Sequence, residues 1–133
     1  MTLFNAGSIK AGLRNACEHI AGEKDSARHI GSGLLDVYST PSMIALMEKC
    51  SMLLVQEHLP PGYGTVGTAI DVKHLKASRI GSRLRAEALL LETDNRRLVF
   101  EVNVSEGDKL IGTGRHERFI INEELFLLKT GIK

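Results

Sequence analysis

The sequence has no excess of charge of either sign. Its 133 residues include 17 Lys and Arg and 16 Asp and Glu, which gives a formal net charge of +1 at pH 7. Proteins that bind nucleic acids or membrane surfaces usually carry a basic face, so this balance argues against both partners. It favours a small-molecule ligand.

Long apolar runs and targeting segments are also missing. No apolar run reaches the roughly 20 residues needed to cross a bilayer. The opening residues, MTLFNAGSIK, have neither the basic start nor the apolar stretch of a secretory signal. We therefore expect a cytoplasmic protein without a membrane partner. The chain is long enough to bury a core, and we predict one domain over residues 1–133.

Cysteine is scarce. Cys17 and Cys50 are the two cysteines, and neither belongs to a C-x-x-C pair or stands near histidines in the sequence. This spacing favours buried thiols over a disulfide or a metal site. We predict no metal and no redox cofactor.

The most informative stretch is Tyr38–Leu59, which predicts one long, nearly apolar helix. Ser39 or Thr40 can supply the N-cap oxygen, and Pro41 suits the first helical position because its missing N–H would have no partner there. The helix is expected to end at the Pro-Pro-Gly of residues 60–62.

The helical period separates an apolar stripe from a polar side. Glu48 projects near the edge of the stripe, whereas Lys49 and Gln56 point the opposite way. A carboxylate at this edge needs a partner or has a raised pKa, although a solvated glutamate or a buried ion pair also fits the pattern. The stripe consists of Met43, Ile44, Met47, Cys50, Leu54 and Val55.

Strand patterns occupy most of the remaining chain. Before the helix, Ile9–Ile20 and Ala27–Ile30 suggest two short strands joined by a turn. After it, short turns join four strands, which are therefore expected to be antiparallel neighbours. These are Thr65–Leu75, Leu84–Glu92, Arg97–Ser105 and Lys109–Ile121. The pattern predicts an α+β protein in which a curled sheet buries one helix, with residues 122–133 forming either a short helix or an added edge.

Alternation along the first of these four strands places His74 among apolar side chains. Val66, Thr68, Ile70, Val72 and His74 share one predicted face, and Gly67 lies on the other. An imidazole on an apolar surface suits a general base, although a lone core histidine is more often structural. The glycine-rich residues 62–67 lack the Lys-Ser/Thr ending of a phosphate-binding loop.

Three segments together carry a family resemblance. TPSMIALME in the helix, GTVGTAIDVKHL in the following strand and GRHERFII in the last strand keep their order and spacing from about His29 to Ile121. In this arrangement the chain resembles the hotdog-fold acyl-CoA thioesterases, specifically the family typified by fluoroacetyl-CoA thioesterase. The resemblance implies a hotdog fold, a homodimer and hydrolysis of a small acyl-CoA thioester to free acid and coenzyme A. Coenzyme A enters as part of the substrate and no cofactor is implied.

The same resemblance implies a set of site residues. Thr40, Glu48 and His74 match the catalytic positions, Gly67 matches a glycine associated with the substrate carbonyl, and Arg118 matches an arginine near the ligand. Residues 31–38 depart from the fluoroacetyl-specific enzyme, whose lid segment is longer and bears phenylalanines. The resemblance therefore implies thioester hydrolysis more strongly than a particular acyl group.

Each chemical role has a candidate among these residues. His74 would act as base, Glu48 would orient it, and the Thr40 hydroxyl would attack the thioester or hold the attacking water. Eight residues of helix rise about 12 Å, so Thr40 and Glu48 of one chain cannot touch. Either His74 and the substrate lie between them, or Thr40 of one subunit meets Glu48 and His74 of the other. We favour the second hypothesis, because the family resemblance implies pockets at a dimer interface.

Other interpretations remain open from the sequence. Thr40 alone fits an N-cap, and a hotdog protein that binds acyl-CoA without turnover is the alternative to the enzyme. A hydratase is less favoured, since no histidine-aspartate site is found on the helix. Arg118 and His116 share a strand face and fit cross-strand pairing as well as substrate binding. Four further cations after His74 fit either the phosphates of coenzyme A or solvated surface charge: Lys76, Arg79, Arg83 and Arg85.

Overall fold

One antiparallel sheet and one long helix dominate the computed structural model, which describes residues 8–131. The five strands are β1 (Arg14–Ile20), β2 (Tyr63–His74), β3 (Arg83–Asp94), β4 (Arg97–Glu106) and β5 (Lys109–Asn122). The helices are α1 (Ala27–Ile30), α2 (Thr40–Gln56) and α3 (Glu123–Lys129), with a 3-10 turn at Glu23–Asp25. Sheet order is β1-β3-β4-β5-β2, and α2 packs against all five strands. This confirms the predicted α+β hotdog architecture.

The long helix α2 begins and ends for local reasons. Ser39 is the N-cap, since its side-chain oxygen accepts a hydrogen bond from the Ser42 N–H at 3.2 Å. Thr40 is therefore the first helical residue, and Pro41 occupies the second position rather than the predicted first. The regular helix ends at Gln56, three residues before the predicted end at Leu59.

The core lies between α2 and the sheet. Met43, Met47, Cys50, Leu54 and Val55 of the predicted stripe are all buried. Ile44 is only half-buried, and Leu46 takes its place on the core side of the helix. The sheet contributes buried side chains from β3, β4 and β5, among them Leu90, Phe100, Val102 and Ile111. Burial of this apolar surface is the main stabilising contribution.

Part of the prediction before α2 is wrong. Of the predicted strand Ile9–Ile20, only Arg14–Ile20 is β1. Ala27–Ile30 is one helical turn, α1, because the Ser26 side chain accepts from the His29 N–H at 3.1 Å and Gly31 closes the turn with a φ of 91°. At the other end of the chain, α3 shows that the short-helix alternative for the last residues was the right one.

A bulge in β2 changes which side chains face α2. The pairing with β5 shifts between Gly67 and Ala69, so that Thr68 has no opposite residue. Gly67 lies opposite Arg118, and His74 lies opposite Gly112. Both therefore lie on the inner face of the sheet, although alternation along the sequence had placed them on opposite faces. The prediction that Val66 and Thr68 share the face of His74 is wrong for the same reason, and the Thr68 hydroxyl instead donates to the outward Glu117 carboxylate at 2.8 Å.

Candidate active site

Thr40 and His74 meet where α2 begins and β2 ends. Thr40 is the first residue of the helix and His74 is the last residue of the strand. Oγ1 of Thr40 lies 2.9 Å from Nδ1 of His74, within hydrogen-bonding distance. Because both residues belong to one chain, the hypothesis that Thr40 meets His74 of a partner subunit is wrong.

The surroundings of His74 suit a neutral imidazole. Burial lowers its pKa below the usual 6.5, and a contact with the Lys76 backbone partly offsets this effect. The ring meets Tyr38 edge-on at 6.4 Å between centroids, and Tyr38 is itself buried. Nε2 of His74 is buried and has no hydrogen-bond partner among residues 8–131. Near neutral pH His74 is therefore uncharged and able to accept a proton.

A cavity of about 320 Å³ opens onto this pair. Thr40 and His74 line it together with the chain that leaves β2. The segment before α2 lines it as well. The remaining lining residues are Ala27, Ser32, Val37, Tyr38, Ser39, Leu75, Lys76 and Ala77. Thr40 is thus exposed at this cavity, whereas His74 is half-buried with its Nε2 fully buried.

Glu48, Gly67 and Arg118 form a second cluster, farther along α2. A Cβ built on Gly67 would lie 2.9 Å from Oε2 of Glu48 and 3.4 Å from Nη1 of Arg118. The same carboxylate oxygen is 4.0 Å from Nε2 of His116, and the Glu48 side chain is 42% exposed. From its position at the edge of the apolar stripe, Glu48 was expected to need a partner. In the structure its carboxylate lies close to Arg118 and His116.

Arg118 is a buried guanidinium held by hydrogen bonds. Its Nε donates to the Thr65 hydroxyl at 2.8 Å, and its Nη2 donates to the Thr65 carbonyl at 2.9 Å. Nη1 donates to Nε2 of His116 at 3.1 Å. Burial lowers the pKa of Arg118 and the nearby Glu48 acts in the opposite direction. Three fixed donors hold this guanidinium beside the Glu48 carboxylate.

His116 is the residue of this cluster to which the sequence assigned no role. Its Nδ1 donates to the Ala69 carbonyl at 2.8 Å, so Nε2 is the nitrogen that accepts from Arg118. The ring stacks on Phe100 with centroids 6.2 Å apart, and burial lowers the pKa of His116. The one available signal was alternation along β5, which places His116 and Arg118 on one face. His116 thereby links Arg118 to the β2 bulge.

The two clusters do not meet within one chain. Thr40 with His74 stands at the first turn of α2, and Glu48 stands two turns later, about 12 Å along the axis. Both clusters border β2, which is an edge strand of the sheet. One chain therefore carries two separate clusters beside the same edge strand of the sheet.

The described residues hold no cluster of three or more His, Cys, Asp or Glu arranged to bind a metal ion. Cys50 is buried, as expected, and Cys17 is half-buried. Burial, reinforced by Cys17, raises the pKa of the Cys50 thiol to about 12. Over residues 8–131, no helix is long and apolar enough to span a membrane.

Comparison with known proteins gives consistent matches. A family model described as fluoroacetyl-CoA-specific thioesterase, FlK, matches residues 21–124. The fluoroacetyl-CoA thioesterase of Streptantibioticus cattleyicolor is 37% identical over 94 residues, which are 71% of this chain and 68% of the relative. The matched region contains α2, β2 and β5, which build both clusters.

Solved structures agree with the sequence matches. The structure of the fluoroacetyl-CoA thioesterase FlK has a TM-score of 0.88 at 30% identity and covers 92% of this chain and 96% of its own. A variant of that enzyme in complex with fluoroacetate and coenzyme A has a TM-score of 0.84 at 31% identity, covering 89% and 99% of the two chains. The likeness thus extends over nearly the whole described fold.

Proposed function

Because the chain belongs to the fluoroacetyl-CoA-specific thioesterase family, we propose that it hydrolyses small acyl-CoA thioesters to free acid and coenzyme A. The observation that carries this proposal is the 2.9 Å contact between the Thr40 hydroxyl and His74 Nδ1, both of which line one cavity. A nucleophile in hydrogen-bond contact with a neutral base is the arrangement that acyl transfer needs.

In the first step the Thr40 oxygen attacks the thioester carbonyl. With its own proton on Nε2, His74 accepts the hydroxyl proton at Nδ1 and becomes positively charged. The carbon–sulfur bond then breaks, and the departing thiolate of coenzyme A takes that proton from His74. The products of this half-reaction are an acyl ester on Thr40 and free coenzyme A.

In the second step water hydrolyses the ester. His74 Nδ1 accepts a proton from the attacking water, and the Thr40 oxygen leaves and recovers a proton from His74. The acyl group departs as the free acid. Intact-mass spectrometry of quenched reactions tests this route, because a direct attack by water leaves Thr40 unmodified throughout.

The Glu48 half-site is proposed to complete the pocket from a partner subunit. β2 is an edge strand of 12 residues, and an exposed edge of this length invites antiparallel pairing with a second copy. A two-fold axis near Ile70 brings His74 of one subunit towards Gly67 and Glu48 of the other. The thioester carbonyl would then lie near the backbone of the partner's Gly67, whose missing side chain lets the Glu48 carboxylate approach that backbone.

Thiol-release assays test the activity. We expect the wild type to release thiol from at least one member of a short-chain to aromatic acyl-CoA panel. The His74→Ala variant should lose at least 100-fold in kcat, as expected for loss of a general base. The matched control is His58→Ala, because His58 contacts Ser8 far from the cavity. Binding of an acyl-CoA without turnover by the wild type would favour the silent binding protein instead.

Cysteine cross-linking tests the dimer. Ile70→Cys should form an intermolecular disulfide under mild oxidation, because residues beside a two-fold axis come within disulfide range. The wild type, which retains Cys17 and Cys50, is the control. A monomer in sedimentation velocity, or cross-linking no greater than the wild type, contradicts the proposed pairing.

A further inference from the structure

The connection from β2 to β3 and the first residues of β3 carry cations that have no role in the mechanism. Of the four cations that follow His74 in the sequence, Arg85 is engaged, because it pairs with Glu18 at 3.3 Å and with Glu87 at 3.9 Å. Arg79 and Arg83 are exposed, and neither makes an ion pair within residues 8–131. Cations that lie close together in the sequence therefore differ in the structure, because Arg85 is paired whereas Arg79 and Arg83 are not.

These two arginines line one cavity of about 520 Å³. Ser82 lines it as well, and its hydroxyl is buried without a hydrogen-bond partner in the described part of the chain. Glu106 is the acidic residue of the lining, and no ion pair joins it to either arginine there. The cavity therefore offers two guanidinium groups that have no ion-pair partner within residues 8–131, a donor set suited to phosphate.

Two further cavities border the same stretch of chain. Arg79 and Ile80 also line a neighbouring cavity of about 570 Å³, which reaches Ser26 and Asp36. The adjoining residues Ala27 and Val37 line the cavity over Thr40 and His74. The arginine cavity and the cavity over Thr40 and His74 are therefore built from one stretch of chain, residues 74–83, although they share no lining residue.

The separation of Arg79 from His74 fits the length of the substrate. Arg79 follows His74 by five residues, so their Cα atoms are at most about 18 Å apart. The pantetheine arm spans roughly 13 bonds from the sulfur to the first phosphorus, equal to about four residues of extended chain or ~15 Å. A thioester held at Thr40 can therefore place its phosphates beside these arginines.

We propose that Arg79 and Arg83 bind the phosphate groups of coenzyme A. This inference rests on the proposed function, because it assigns the nucleotide end of the same substrate. The two arginines act on substrate binding and not on the acyl transfer, which takes place at Thr40. Removing one of them should therefore raise KM and leave kcat nearly unchanged.

The phosphate site can be tested with three thioesters that carry the same acyl group and differ only in the nucleotide and phosphate part. The preferred acyl group is offered as its coenzyme A, dephospho-coenzyme A and pantetheine thioesters to wild type, Arg79→Gln, Arg83→Gln and the control Arg85→Gln. We expect each of the first two variants to raise KM at least tenfold with acyl-CoA, as for loss of a charge-assisted hydrogen bond. With acyl-pantetheine, which has no phosphate, all four proteins should behave alike.

Comparison of the substrates separates the possible failures. An increase in KM that is equal for acyl-CoA and acyl-pantetheine, or no increase with acyl-CoA, overturns the phosphate site while thioester hydrolysis stands. If KM rises with acyl-CoA and not with acyl-dephospho-CoA, the arginines bind the 3′-phosphate. If KM rises equally with both, they bind the diphosphate. If the wild type releases no thiol from any of the three thioesters, the proposed function fails and this inference fails with it.

Discussion

The Gly67→Ala substitution should reduce activity strongly and stability only slightly. A Cβ at this position would lie 2.9 Å from Oε2 of Glu48 and 3.2 Å from Cε1 of His116. Ordinary contact requires at least 3.4 Å, so the Glu48 carboxylate must retreat by roughly half an ångström. Because the Glu48 side chain is 42% exposed, it can move into solvent, and we expect a loss of at most about 1 kcal/mol in the free energy of unfolding.

Activity should be more sensitive than stability to this change. A misplacement of about 1 Å can cost a hundredfold in rate, so half that displacement should lower kcat/KM roughly tenfold. Thiol release measures kcat/KM, and urea unfolding measures the free energy of unfolding. Gly114→Ala is the contrasting variant, since its Cβ would lie within 2.5 Å of the Val72 backbone and should prevent β2 from pairing. A Gly67→Ala protein with wild-type kcat/KM would refute the role given to Gly67 and Glu48.

Three further predictions concern titration and packing. Since burial lowers the pKa of His74, kcat/KM should be full at pH 7 and should fall on acidification with an apparent pKa below 6.5, as measured by a pH–rate profile. Burial also lowers the pKa of His116, so below about pH 6.5 the unfolded chain binds more protons than the folded chain. The folded state therefore loses stability as the pH falls through that range. Between pH 7.5 and 5, the melting temperature should fall less in His116→Gln than in the wild type. Leu54→Ala should reduce the free energy of unfolding by about 2–4 kcal/mol, because Leu54 is buried, whereas its exposed neighbour in Leu53→Ala should cost less than about 1 kcal/mol in urea unfolding.

Local patterns were sufficient to predict much of the fold. Helix α2 and strands β2 to β5 follow from apolar periodicity and from turn residues such as those around Asn95 and Gly107, both of which adopt positive φ. The helical turn α1 was missed because Ser26 and Gly31 cap it, and capping outweighs an apolar pattern over only four residues.

The site was harder to predict from the sequence because it depends on the register in which β2 pairs with β5. Strict alternation placed Gly67 and His74 on opposite faces, and only the bulge between Gly67 and Ala69 brings both to the inner face. The contact of Thr40 with His74 joins residues 34 positions apart, so no local pattern reports it. His116 was visible as a strand residue, but its bonds to Ala69 and Arg118 depend on tertiary packing.

Complementation between inactive subunits tests the central claim most directly. Thr40→Ala removes the proposed nucleophile and leaves the Ser39 cap intact, and Glu48→Gln neutralises the other half-site without changing its size. Differently tagged copies of the two variants are co-expressed, and the heterodimer is purified through both tags. Each parent should be nearly inactive, whereas the heterodimer should hydrolyse acyl-CoA at about half the wild-type rate, because one of its two sites is intact. A pure heterodimer no more active than its parents would contradict a site built from Thr40 and His74 of one subunit and Glu48 of the other.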